Sequence, residues 1–475
     1  MSESARRVAV VGGGITGLVA AFRFAEVAEK DGKLFIDLIE ASGRLGGTIV
    51  TERVDGFLVE GGPDTFLARK PEGIALCKEL GLEDHIISTN RERRRSFVSH
   101  GGRLHELPEG MSGLVPTRIG PLFRSSVLSP LGKLRAAAEP FVKRRPAEDD
   151  AEESVASFVR RRLGREAYEY LVEPLLCGIY AGDGEQLSLA ATSPILKDME
   201  EEHGSILRGL RLSSKAAAAE LTKYPTPFVS LTGGMQELVD ALVHRLGPVN
   251  VHASASAAGI RRDQDGFRID LTTGEAVTVA AVILATPPHV AADLLDPLNG
   301  DAAALLRQIP AVSNAAVSMG FNAADVPHTL SGYGYVVPRC EQRRTLACSW
   351  ASSKLPDRAP EGRALVRVFL GRAGQEIEDE TDDDALIAEA REELQATLGI
   401  EVAPLFSRVY RYRKAMPQYT LGHLERVAAL ERAMTSTKGI FLAGNSYHGV
   451  GIPDCIRSGQ KAAFAALRYA EDIFT

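Results

Sequence analysis

The stretch that decides the fold is Arg7-Val8-Ala9-Val10-Val11-Gly12-Gly13-Gly14-Ile15-Thr16-Gly17. A short apolar run ends in three glycines, and helical spacing follows at Leu18, Ala21, Phe22 and Ala25. Lys33 to Glu40 (KLFIDLIE) is apolar-rich again, so residues 6–60 read as strand, helix, strand. Parallel strands need such a crossover. The turn holds G-x-G-x-x-G at Gly12, Gly14 and Gly17. In that motif the first glycine permits a tight turn, the second admits a pyrophosphate to the backbone, and the third lets helix and strand pack closely. The helix N-terminus then faces the negative charge. Glu40, followed by Ala41, ends the next strand, where an acid accepts hydrogen bonds from ribose hydroxyls. A 2′-phosphate would be repelled there, which argues against NADP. The long spacing from the glycines to Glu40 fits a longer crossover helix and the Glu29-Lys30-Asp31-Gly32 turn.

Further glycine turns sharpen the reading. Gly43-Arg44-Leu45-Gly46-Gly47 follows Glu40 at once, placing a guanidinium and two bare backbone positions near the same pyrophosphate. Gly61-Gly62-Pro63-Asp64-Thr65 supplies another tight turn. Near the C-terminus, Gly444-Asn445 ends a strand, and Gly449-Val450-Gly451-Ile452-Pro453-Asp454 precedes a last helix. The free N–H groups at that helix start suit a polar ring edge. An ordinary capped helix with Asp454 as a first-turn acid is the plain alternative.

Composition sets outer limits. The chain has 475 residues, 45% hydrophobic and 25% charged, the balance of a globular protein of roughly three domain-sized units. A net charge of −7 gives no electrostatic reason to expect nucleic acid. No run approaches the ~18 apolar residues of a membrane span, and Val8–Val11 is too short for a secretory core, so no leader is expected. The five cysteines (Cys77, Cys177, Cys340, Cys348, Cys455) are widely spaced without a CxxC pair, so neither a disulfide framework nor a zinc site is indicated. The ten histidines show no HExxH, and no metal is proposed. No GxSxG elbow is present. A reduced, cytoplasmic setting follows.

Along the chain, residues 66–220 look mostly helical, with breaks near Pro108, Pro116, Pro121 and Pro130 and a solvated acidic stretch at 147–153. From Phe228 the pattern turns to short strands (249–252, 267–271, 280–285) after a helix from Gln236 to Leu246. Residues 311–321 and 363–370 suggest a second sheet, and Asp382 to Leu398 an amphipathic helix. The fold class is α/β, with a Rossmann-like domain woven from discontinuous segments.

These segments together resemble a known family. GGGITGL, EASGRLGG, VEGGPDTFL, LTGGMQEL, AVILATPP and FLAGNSYHGVGIPDCIRSGQKAA are similar to the flavin amine oxidase superfamily. More narrowly, Leu171–Pro194 (LVEPLLCGIYAGDGEQLSLAATSP) and Met416–Val427 (MPQYTLGHLERV) resemble the porphyrinogen oxidases of haem synthesis. The resemblance implies an FAD-binding domain from 1–65, 221–300 and 419–475, a mainly helical insert at 66–220, and a mixed-sheet substrate domain at 301–418. It implies non-covalent FAD held by Gly12, Gly13, Gly14, Ile15, Thr16, Gly17, Glu40, Ala41, Arg44, Gly46, Gly47, Gly62, Pro63, Asp64, Thr65, Gly444, Val450, Gly451 and Ile452. It also places Ala257 at the adenine and Tyr412 at the flavin edge. Cys455 then reads as a small buried thiol and His448 as a packed polar residue or a contact to flavin or substrate.

For the substrate the resemblance implies a wall at Gly178-Ile179-Tyr180. Protoporphyrinogen-type enzymes generally place an arginine where this chain has Ser96, though Arg93, Arg94 and Arg95 stand close enough to substitute. Gram-positive-type coproporphyrinogen enzymes carry a lysine matching Lys70, after Phe66-Leu67. Coproporphyrinogen III has four propionates and protoporphyrinogen IX two, so a flexible cation favours the former; a solvated surface lysine is the plain alternative. Arg91 to Arg165 holds 16 basic and 9 acidic residues, and Arg160-Arg161-Arg162 could attract anionic lipid or the anionic substrate, giving peripheral membrane contact. The expected activity is oxygen-dependent six-electron oxidation of coproporphyrinogen III, by hydride transfer to flavin N5 with peroxide as by-product and no dedicated general base. Protoporphyrinogen IX is the rival substrate. A flavin amine oxidase and a flavin-free escort protein are the other classes. Hand-over of product to a ferrochelatase is a further expectation.

Overall fold

Val8, Ala9, Val10 and Val11 are all buried because they form the central strand of a five-stranded parallel sheet. The computed structural model describes residues 6–474 apart from 109–110, 113–114, 117–118, 146–150, 213–223 and 265. The sheet runs Val249–His252, Leu34–Ile39, Arg6–Val11, Ala281–Leu284, Ile440–Leu442, so three distant parts of the chain build it. Val8 lies between Ile36 and Ala281 in register. Strand alternation sorts the two faces. Val8 and Val10 pack under helices Ile15–Asp31 and Ile452–Phe474, while Ala9 and Val11 meet a second layer. That layer is the antiparallel sheet Ala257–Asp263, Gly266–Leu271, Ala276–Val279 with helices Pro288–Leu295 and Gly300–Arg307. Burial on both faces explains why these strands read as unbroken apolar runs.

A seven-stranded sheet forms the second body, in the order Phe406–Pro417, Ala311–Asn322, Arg363–Leu370, Thr345–Ser349, Gly334–Val336, Ser96–His100, Arg103–Glu106. All its pairs are antiparallel except Gly334–Val336 with Ser96–His100. Helix Asp383–Leu398, capped by the Asp382 carboxylate on Ala385 N, packs Leu386, Ala390, Leu394 and Leu398 onto one face. The opposite face receives Leu365 against Phe57 and Val59.

The stretch 66–220 departs from the mainly helical expectation. Phe66–Leu67 and Ile86–Ser88 flank Phe228–Leu231 in a small antiparallel sheet, and Ser96–Glu106 is a hairpin on the large one. Gly101 and Gly102, at φ +57° and +73°, form its two-residue turn, a conformation that matches the twist of paired strands. Helices dominate only from Ile119, where Pro130–Ala137, Val155–Leu163, Glu173–Tyr180 and Pro194–His203 enclose their own core. The acidic stretch is not wholly solvated: Glu153 pairs with Arg161, and Glu152 accepts bonds from Ser188 and Gly422; 147–150 lies outside the described residues. No helix among the described residues is long and apolar enough to cross a membrane.

Candidate active site

The glycine turn after the first strand is a backbone cradle. Gly12 has φ +107°, and a side chain there would strike the Ala285 carbonyl. A Cβ on Gly14 would meet only Gly47 Cα, at 3.8 Å, so this position has room for a close approach to the backbone. Gly14 caps helix Ile15–Asp31 with no side-chain hydrogen bond and no acid in the first turn, leaving the helix start to an anion. Gly46 donates its N–H to Gly13 O at 2.8 Å, which seats the second glycine loop directly against the first. Arg44 curls back on the carbonyls of Leu45, Gly47 and Ile49, so it stiffens its own loop. Glu40 reaches over the turn: its carboxylate accepts from Gly13 N at 2.6 Å and from Ser42 N and Oγ. Ala41 is exposed beside it, and Ala257 packs near the ends of the first two strands among the cluster that includes Val11 and Ile39.

The Gly61–Thr65 turn comes to the same region through residues of the large sheet. A Gly62 side chain would collide with Thr48 O and lie 3.3 Å from the Tyr412 hydroxyl. Arg367, 1% exposed, donates to Gly61 O at 3.0 Å and Gly62 O at 2.6 Å. Asp64, beyond Pro63, accepts from Lys354 Nζ at 2.7 and 2.8 Å, from Thr65 Oγ1, and lies 3.5 Å from Arg367. Burial opposes ionisation of Asp64, but Lys354 and Arg367 outweigh it and hold the carboxyl at about 2. Arg367 and Lys354 went unread in the sequence. The signal was a charge in the middle of the apolar strand RALVRVFL, which a buried site must explain.

The tail closes the cleft. Gly444 has φ +137°, a Cβ placed on it would meet nothing within 4 Å, and its N–H donates to Ser458 Oγ. Helix Ile452–Phe474 starts beside the first helix, where the Cys455 thiol, pushed up to about 11 by burial, bonds Thr16. Val450 and Gly451 stay half-buried and Ile452 is buried. Asp454 is no simple first-turn acid. Its buried carboxylate accepts from Lys70 Nζ at 2.5 Å and Arg457 at 2.6 Å.

Two buried hydroxyls at this cleft, Thr286 Oγ1 beside Gly12 and Tyr412 OH beside Gly62, have no partner among the described residues. Open backbone at Gly14 and Gly444, an uncapped helix start and two unpaired hydroxyls fit a bound dinucleotide. Burial pushes the Tyr412 phenol up to about 12, so it stays a neutral donor.

The residues expected at the substrate divide. Gly178 and Ile179, which is 47% exposed, present a bare apolar face; Tyr180 turns inward toward Tyr419, its hydroxyl on Thr192 O at 3.4 Å. A side chain turned inward cannot share an exposed wall with its neighbour. Ser96 pairs with Gly334, two residues from Val336, which faces Gly178. Lys70 is 35% exposed and tied to Asp454, so it is not a free surface lysine. His448 does not enter the cleft; it is exposed and pairs with Glu431 at 3.2 Å. Nor is the Arg160–Arg162 run an anion site. Arg160 binds Glu185, Arg161 binds Glu153 and Glu200, and the wholly buried Arg162 binds Glu139. Opposite charges brought in by the fold neutralise a run that looked bare in sequence.

Comparison with known proteins agrees with this geometry. The profile of the flavin containing amine oxidoreductase family matches residues 15–467. The chain is 36% identical over 473 residues to a coproporphyrinogen III oxidase of Bacillus subtilis, covering 99% of each. It is 31% identical over 477 residues to protoporphyrinogen oxidase 1 of Arabidopsis thaliana chloroplasts, covering 96% of this chain and 86% of that one. A crystal structure from Exiguobacterium sp. 255-15 superposes with a TM-score of 0.85 at 31% identity, covering 98% of this chain and 99% of the other.

Proposed function

Because the chain belongs to the flavin-containing amine oxidoreductases, and within them to the porphyrinogen oxidases, we propose that this FAD-dependent oxidoreductase converts coproporphyrinogen III to coproporphyrin III in haem biosynthesis. The observation that carries the substrate choice is the end-to-end kinship with a coproporphyrinogen III oxidase, with a serine rather than an arginine at position 96. The chemistry a bound FAD supplies is acceptance of a hydride at N5 from a meso C–H bond, three times per macrocycle, each electron pair passing to O2 as hydrogen peroxide. Six hydrogens leave the substrate, as three hydrides and three protons, and three O2 become three H2O2.

The protein's part is binding, orientation and exclusion of water. The Gly12–Gly14 turn and Gly46–Gly47 hold the pyrophosphate, and Glu40 the ribose. The Gly62–Thr65 turn, Tyr412 and Val450–Ile452 hold the ring system. Gly178 lets a flat substrate approach, and Ile179 packs its face. Lys70 shares its charge between Asp454 and a propionate. Pyrrole N–H protons leave through the tautomerism of the macrocycle, so no side chain acts as a general base. The reading extends to a cytoplasmic enzyme that touches the membrane surface through Leu131, Leu134 and Phe141, exposed apolar residues of the insert, and passes product to a ferrochelatase.

The test is a paired aerobic assay on the flavin-loaded protein, following porphyrin fluorescence from coproporphyrinogen III and protoporphyrinogen IX with anaerobic and enzyme-free controls. A higher kcat/KM for coproporphyrinogen III is expected, and Lys70→Ala should raise KM for that substrate more than for the other. Preference for protoporphyrinogen IX would overturn the substrate assignment while keeping the flavin chemistry. Activity on neither would point to amine substrates.

A further inference from the structure

Outside the residues assigned to cofactor and substrate, one buried pair bonds the end of the substrate wall and the tail loop that flanks the cofactor residues. Gln418 and Tyr419 follow the strand Phe406–Pro417, where the chain passes between the helical insert and the tail loop. Gln418 is buried, and its Nε2 donates to Tyr180 O at 2.8 Å, at the end of the wall helix Glu173–Tyr180. The next residue, Ala181, has φ +48°, and its carbonyl accepts from Ala373 N at 2.7 Å. The wall therefore ends in a turn that a side-chain-bearing residue adopts only when its surroundings enforce it.

Tyr419 works on the other side. Its ring stacks on His423 at 4.0 Å with planes 13° apart, and its carbonyl accepts from Ser188 N at 2.8 Å. Ring and backbone thus fix it to the insert and to the helix His423–Met434. The hydroxyl alone reaches the tail: it donates to Asn445 O at 2.5 Å and accepts from Gly449 N at 2.7 Å. These two contacts bracket the loop between Gly444 and Val450, and Gly449 sits over Asp454 at the start of the last helix. One phenol spans the loop that delivers Val450, Gly451 and Ile452.

We propose that Gln418 and Tyr419 are a two-sided clamp of positioning residues that sets the spacing between the substrate wall and the flavin end of the tail. The inference rests on the FAD-dependent reading above. Neither side chain needs to touch substrate or flavin. Gln418 holds the wall by its last carbonyl, and Tyr419 holds the tail by one donor and one acceptor.

The phenylalanine variant isolates the tail contact, because it keeps the ring stack and the backbone bond to Ser188. Deflavinated Y419F titrated with FAD should bind about tenfold more weakly than wild type, about 1.4 kcal/mol, as expected when a buried donor and acceptor lose their partner. Its visible flavin bands should shift, with KM for coproporphyrinogen III close to wild type. Q418L should do the reverse: KM rises several-fold while FAD affinity and the flavin spectrum stay at wild-type values. Wild-type FAD affinity and spectrum in Y419F would overturn the clamp. Hydrogen exchange on the unmutated protein covers the case in which Y419F does not fold. The Gly449 amide should be protected in the deflavinated protein, and free exchange there would equally overturn the proposal. The FAD titration uses no porphyrinogen. A wild-type protein inactive toward both porphyrinogens, with FAD binding weakened in Y419F, would defeat the proposed function and leave the clamp standing.

Discussion

Replacing Arg367 by methionine tests whether the large sheet holds the second glycine turn in place. The guanidinium donates to the buried carbonyl of Gly61 and the half-buried one of Gly62, and lies 3.5 Å from the Asp64 carboxylate. Leaving a buried acceptor without its donor costs about 1–3 kcal/mol, and breaking a buried ion pair by removing one partner about 3–5 kcal/mol. These overlap, since Asp64 keeps Lys354 at 2.7 Å, so the expected loss is about 3–4 kcal/mol. Urea unfolding should show a lower midpoint with an unchanged slope. The flavin content of the purified variant should fall with it, because the freed turn carries Gly62 to Thr65. Arg367→Lys keeps the charge but not the planar group that sets one nitrogen on both carbonyls and the other 3.5 Å from Asp64, and should recover only part of the loss. A stability within about 1 kcal/mol of wild type, with full flavin content in R367M, would refute the idea that this arginine organises the turn.

Three further outcomes follow from buried charges. Burial raises the Glu60 carboxyl to about 6, against the hydroxyl of Thr51 and the Arg358 charge, so the native state holds its proton more tightly than the unfolded chain. Stability from this group is present below about pH 4.5 and is lost as pH rises to about 6, by about 2 kcal/mol; Glu60→Gln should therefore gain Tm relative to wild type at pH 7.5 and not at pH 4.5, read by thermal unfolding. His423 is held at about 4 by burial, so its contribution is present above about pH 6.5 and is lost as pH falls toward 4, by about 3 kcal/mol; His423→Leu should flatten that acid limb in urea midpoints. In the insert, Arg162→Met strands the buried Glu139 carboxylate and should cost about 3–5 kcal/mol, while R162M/E139Q should recover only part of it, since the unpaired charge is gone but glutamine's single oxygen replaces only one of the two carboxylate oxygens that accept from Ile206 N and Leu207 N.

Much of the nucleotide half was legible because it is local. Val8–Val11, the Gly12–Gly17 turn and Glu40 lie within one crossover unit, where periodicity and glycine spacing act over a few residues. The helices at Ile15–Asp31, Asp383–Leu398 and Ile452–Phe474 followed from the same short-range signals. The hairpin Ser96–Glu106 was missed. Its strands are only five and four residues long, and only the sheet they join makes them extended.

By itself, then, the chain determines a glycine turn between strand and helix, an acid at the end of the next strand, the absence of any sequence signal for a metal or a disulfide, and the motifs that mark its family. Tertiary structure decided which charges are spoken for. Arg160, Arg161 and Arg162 look free until Glu185, Glu153, Glu200 and Glu139 meet them, and Lys70 looks solvated until Asp454, 384 residues on, accepts its bond. The same holds for Arg367 on Gly61 and for Tyr419 between Asn445 and Gly449. Backbone preference and hydrophobic period are short-range properties and can be read from neighbouring residues. The partner of a charge or a hydroxyl is chosen by packing across the chain, and no local pattern records it.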